Sequence, residues 1–82
     1  MDPTVQLAHP PRAPRLSPRE HEILGLLSQG LTGRAIARQL FLSPETVRTH
    51  IRNATTKLGA KTRVHAVALM LTRELAGLPV PS

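Results

Sequence analysis

The sequence has no cysteine, no tryptophan and no tyrosine, and its single aromatic residue is Phe41. Without cysteine there is no disulfide scaffold and no thiolate zinc site. With one aromatic ring there is no platform on which successive bases of a single strand could stack. Acidic residues are scarce, with 5 Asp and Glu against 11 Lys and Arg. No apolar run approaches the ~20 residues that cross a bilayer, so no membrane partner is expected. The N-terminus has no apolar signal-peptide core, which sets the expectation of a cytoplasmic protein. At 82 residues the chain has room for one small domain. A domain of that size buries only about 60 % of its unfolded surface, which leaves little scope for an enclosed active site.

What the chain has in excess is positive charge. The formal net charge is +6 and the pI about 11.7, values that point to a polyanionic partner. Residues 32–63 hold Arg34, Arg38, Arg48, Arg52, Lys57, Lys61 and Arg63 against Glu45 alone, so this segment carries the whole excess. A basic tail would suggest a nonspecific arm; this charge lies within the segment expected to fold.

Residues 1–15 read as a Pro-rich flexible linker, because Pro3, Pro10, Pro11 and Pro14 block helix and favour extended chain. Residues 77–82, with Pro79 and Pro81, read as a frayed tail. Between them, residues 16–76 read as an all-α domain of four helices. The first opens at Ser17-Pro18-Arg19-Glu20, where Ser17 and Glu20 can cap each other and Pro18 suits the first helical position. Ile23, Leu24, Leu26 and Leu27 give it an apolar face, and Gly30 ends it. Gly25 in its interior is either a point of close helix approach or a tolerated surface glycine. Thr32 caps a short second helix ending near Leu40, with Ile36, Ala37 and Leu40 on one face. Ser43-Pro44 opens a third, and Gly59 stops it. Its apolar positions Val47, Ile51, Ala54 and Leu58 form an i, i+4, i+7, i+11 stripe. Thr62 caps a fourth helix running to about Leu75.

Two helices joined by about three residues, Phe41 to Ser43, with the second capped and basic, form a helix-turn-helix pattern. Helical geometry places Glu45, Arg48, Thr49, Arg52 and Thr56 opposite the Val47 stripe. The third helix therefore buries one face and turns two arginines outward. Arginine bonds bidentately to guanine O6 and N7 in the major groove, which makes Arg48 and Arg52 candidates for base contact. Phosphate contact is the alternative. Glu45 either accepts from cytosine N4 or complements the helix dipole and pairs with Arg48.

Four motifs in order carry a family resemblance. They are Leu16-Ser17-Pro18-Arg19-Glu20-His21-Glu22-Ile23-Leu24, Ala35-Ile36-Ala37-Arg38-Gln39-Leu40, Leu42-Ser43-Pro44-Glu45-Thr46-Val47-Arg48-Thr49-His50 and Lys57-Leu58-Gly59-Ala60-Lys61-Thr62-Arg63. Together they resemble the LuxR/GerE-type helix-turn-helix domain, from residue 16 to about 75. The resemblance implies a four-helix domain that binds double-stranded DNA as a homodimer in bacterial transcription factors, located at the nucleoid. It implies base contacts at Arg48, Thr49 and Arg52. It makes the fourth helix the dimer contact. That helix carries two apolar stripes, one of Val64, Val67, Ala68, Leu71 and Leu75 and one of Ala66, Leu69 and Met70. One should pack inside and the other meet a second copy; Val64, Val67, Ala68 and Leu71 are the working dimer face. Gly33 and Ala35 depart from the polar or acidic residues usual there, and Phe41 from an often polar turn position.

Thr32, Arg34, Thr46, Lys57, Lys61 and Arg63 are phosphate candidates; Arg34 lies near a helix N-terminus, whose amides favour anions. Arg63 alternatively makes an internal bond. Glu20 and Glu22 sit two apart on a helix and do not face each other, so capping and surface roles are expected rather than acid–base catalysis. His9, His21, His50 and His65 lack metal-ligand spacing, and His50 is expected packed and hydrogen-bonded. No metal, no cofactor, no small-molecule ligand and no enzymatic activity are expected. The leading expectation is a sequence-specific transcriptional regulator with RNA polymerase as a further partner. The alternative is a protein-interaction module that contacts polymerase or another regulator and has only nonspecific affinity for DNA.

Overall fold

The computed structural model describes residues 15–75. Helix α1 spans Pro18–Ser28, α2 Gly33–Leu40, α3 Pro44–Lys57 and α4 Arg63–Leu75, and the described residues contain no strand. The linker assigned to 1–15 and the tail assigned to 77–82 lie, apart from Arg15, outside the described residues.

The caps form where small hydroxyl residues meet the first helical turns. Ser17 Oγ accepts the Glu20 amide at 3.0 Å, and Glu20 Oε1 accepts the Ser17 amide at 2.8 Å, a complete capping box. Thr32 Oγ1 accepts the Ala35 amide at 3.1 Å, and Ser43 Oγ accepts the Thr46 amide at 3.0 Å. Thr62 Oγ1 does the same for His65 at 3.0 Å. The Lys61 amide then donates to His65 Nδ1 at 3.1 Å, so the ring supplies a second acceptor at this end.

The first three helices end alike. Within two residues of each end one residue takes a positive φ: Gly30 at 95°, Phe41 at 58° and Gly59 at 68°. The next amide then reaches back five residues, Leu31 to Leu26 O, Leu42 to Ala37 O and Ala60 to Thr55 O. This is the Schellman arrangement, which glycine adopts without strain. Phe41 is the exception, a bulky side chain in left-handed backbone and 94 % exposed. Gly25 has open space where a Cβ would stand, so it is a tolerated glycine and not a point of close approach.

Two apolar clusters form the core. Leu16, Leu24, Ala54, Leu58, Ala66 and Met70 join α1, α3 and α4. Ile23, Ile36, Ala37, Val47 and Ile51 join α1, α2 and α3. Each fully buried Leu or Ile is worth roughly 1.5–3 kcal/mol over an exposed one, enough to outweigh the local cost of Gly25 and Phe41. Helix α3 packs on all three others, so its inward stripe fixes its orientation completely. His21 Nε2 also meets Glu74 Oε2 at 3.0 Å, tying α1 to the far end of α4. No described helix is long and apolar enough to cross a membrane.

Candidate nucleic-acid interface

The candidate interface is built on α3. Val47, Ile51, Ala54 and Leu58 are buried as the periodicity requires. The same rotation leaves Glu45, Thr46, Arg48, Thr49 and Arg52 exposed. With Ser43 and His50 they line one open concavity along the helix. The three residues expected to meet bases, Arg48, Thr49 and Arg52, thus share a single solvent face. His50 is half-buried at its edge and makes no side-chain hydrogen bond among the described residues, although a bonded histidine was the expectation.

A second cleft adjoins the first. It lies between the N-terminus of α2, the flank of α3 and the start of α4, and its lining includes Thr32, Arg34, Pro44, Arg48 and Arg63. Three of the expected phosphate residues therefore gather beside Arg48. Three guanidinium groups facing one cleft near a helix N-terminus make it strongly attractive to an anion. Thr32 and Thr46 already serve the caps. Thr32 Oγ1 takes the Ala35 amide, and Thr46 Oγ1 accepts from Ser43 Oγ at 2.9 Å. Both residues are exposed, Thr32 in the lining of the second cleft and Thr46 in that of the first.

Lys57 and Lys61 do not join this group. Lys61 is exposed in the connection between α3 and α4 and lines neither cleft. Lys57 turns toward α1, where its Nζ meets Glu20 Oε1 at 2.8 Å. Glu20 is only 4 % exposed and takes the expected capping role, but it also has a half-buried charge partner 37 residues away. No local spacing rule could have paired them. Glu22 keeps a surface role, paired with Arg19 at 3.2 Å.

On α4 the structure separates the two stripes. Ala66 and Met70 are buried, and Leu69 packs beside them. Val64, Ala68, Leu71 and Leu75 recur at i, i+4, i+7 and i+11 on the opposite side, with Val64 75 % and Leu75 88 % exposed. Val67, assigned to the outer face, instead packs partly against the core.

A four-helix unit with a three-residue turn before an arginine-faced third helix is a helix-turn-helix DNA-binding domain. The family model for bacterial regulatory proteins of the luxR family matches residues 14–70, and the chain belongs to that family of DNA-binding transcription regulators. It is 50% identical over 58 residues to the spore germination protein GerE of Bacillus subtilis, across 71% of this chain and 78% of that protein. It is similar to the response regulator ChrA of a heme-sensing two-component system, with a TM-score of 0.71 and 39% identity over 88% of this chain and 35% of that one. It is also similar to VqmA in a ligand–DNA complex from Vibrio cholera, with a TM-score of 0.69 and 32% identity over 83% of this chain and 29% of that one. The chain thus spans most of GerE but about a third of the two larger regulators.

Proposed function

We propose that this chain binds a specific double-stranded DNA sequence as a homodimer, with α3 in the major groove. The observation that carries the reading is the placement of Arg48 and Arg52 together on the exposed face of a helix whose other face is locked into the core. A helix held on three sides presents its arginines in fixed geometry, which bidentate recognition of guanine requires. Thr49 lies between them, with a methyl group suited to that of thymine. Arg34 and Arg63, beside the amides at the start of α2, hold phosphates and set the register. Thr32, Thr46 and Lys61 lie further out on the phosphate path, while Lys57 acts through Glu20 in holding the helix.

The outward stripe of α4 supplies the second copy. Val64, Ala68, Leu71 and Leu75 make a continuous apolar seam at the spacing that pairs helices. Two-fold symmetry then sets two half-sites about one helical turn apart. Bound beside a promoter, such a dimer changes transcription through contact with RNA polymerase in the cytoplasm, at the nucleoid.

Selection from a random duplex pool tests the reading. A palindromic motif bound by two chains is the expected result. Recovery of no motif, with binding that weakens uniformly in salt, would reduce the basic face to an electrostatic footprint. The protein-interaction alternative would then take its place.

A further inference from the structure

We propose that Arg38, which the sequence reading assigns no role, is a further phosphate-contacting residue, so that the DNA-backbone track continues along α2 beyond Arg34. The inference rests on the DNA-binding reading above and adds a residue to it. Arg34 and Arg38 stand four apart on α2 and are both exposed, so they occupy one side of that helix one turn apart. Both line a concavity with Ala37, Leu42 and Pro44. Arg34 and Pro44 also line the cleft that contains Arg48 and Arg63. The two depressions therefore meet at Arg34, and Arg38 extends the same surface away from the reading helix.

The charge around Arg38 points to an anion. Residues 33–43 contain no acidic side chain, and Arg38 makes no ion pair among the described residues. By contrast, Arg19 and Lys57 each have a carboxylate. Arg38 also sits in the last turn of α2, where a cation suits the carbonyl end of the helix. That local effect needs no shared cleft and leaves the guanidinium donors open. Just over one helical turn separates Arg34 from Arg38, about 6 Å along the axis, within reach of neighbouring phosphates on one strand. An acidic protein segment would satisfy the same charge. The continuity with the Arg48 face favours the duplex that face already holds.

The test measures salt-dependent binding of the full chain to a motif duplex and to a scrambled duplex. The variants are Arg38→Gln, Arg38→Lys and Arg34→Gln. Arg38→Gln should weaken binding several-fold and by the same factor on both duplexes, with a salt slope shallower by about 1. Arg38→Lys should keep the slope, and thermal unfolding should match wild type for both. Wild-type affinity and slope in Arg38→Gln, alongside a loss in Arg34→Gln, would overturn the proposal. A loss confined to the motif duplex would also overturn it, because that marks base reading. So would a lowered Tm shared by both Arg38 variants. The scrambled duplex reports on Arg38 even if no motif exists, so failure of the sequence-specific reading is seen separately.

Discussion

Glu20 Oε1 accepts two hydrogen bonds at 2.8 Å, one from the Ser17 amide and one from Lys57 Nζ. A single carboxylate oxygen thus closes the capping box of α1 and anchors the last turn of α3. Helix α3 is held at its N-terminus by Ser43 and at its far end by this pair. Its exposed arginines inherit that fixity.

Removing the ammonium should therefore loosen the domain rather than the DNA contact. Lys57→Met leaves a buried carboxylate without its partner and should destabilise by about 2 kcal/mol. In a domain this small that lowers Tm by about 8–16 °C. Adding Glu20→Gln to Lys57→Met should recover part of the loss. Thermal unfolding of the two variants checks both statements. An unchanged Tm in Lys57→Met would mean the pair has no structural role.

The same carboxylate makes stability depend on pH. Burial pushes the Glu20 carboxyl up, but the hydrogen bond from Lys57, the Ser17 amide and the Lys57 charge together hold it below its usual value. A depressed carboxyl stabilises the fold above its unfolded pKa, about 4.3, and loses that contribution as pH falls through the lower folded value. Tm should drop as pH falls below about 4.3, and less steeply in Glu20→Gln than in wild type. Equal slopes would show that other carboxylates account for the acid sensitivity.

Two local costs, one of strain and one of helix propensity, should be removable. Phe41 occupies a left-handed position at φ 58° with its ring 94 % exposed, so Phe41→Gly relieves the backbone and sacrifices no packing. A gain of about 1 kcal/mol is expected from the relief. Gly25→Ala meets open space inside α1 and should add about 1 kcal/mol through helix propensity. Each variant should raise Tm by several degrees, and the two gains should add, since the sites share no partner. A fall in Tm for Phe41→Gly would reveal a packing role for the ring.

The features legible in the sequence are the local ones. Ser17, Thr32, Ser43 and Thr62 announce the helix starts because a cap is set by residues three apart. The Val47 stripe announces both faces of α3 because helical period alone fixes them. What was hidden depends on tertiary placement. The pairing of Glu20 with Lys57 crosses 37 positions. The partial burial of Val67 depends on how α4 rolls onto the core. The turn at Phe41 was legible, but its left-handed backbone was hidden, because a phenylalanine carries none of the signal a glycine gives for positive φ. The gathering of Arg34, Arg48 and Arg63 around one cleft required three helices to be placed together.

The α4 seam yields a separate prediction. Leu71→Glu or Val64→Glu puts a charge on the outward stripe without entering the core, so each variant should remain folded and become monomeric. Sedimentation equilibrium reads the change directly, and DNA affinity should fall because two half-sites no longer bind together. A dimer that survives both substitutions would place the contact elsewhere.

The central claim is that Arg48 and Arg52 read bases from a rigid α3. The base-preference profile of Arg52→Ala, measured beside wild type on the selected duplexes at two salt concentrations, tests it most directly. The account predicts that one base position in each half-site loses its preference, a discrimination of about 1–3 kcal/mol, while most of the salt slope remains. An unchanged profile with affinity lowered equally on every sequence would contradict it and make Arg52 a phosphate contact.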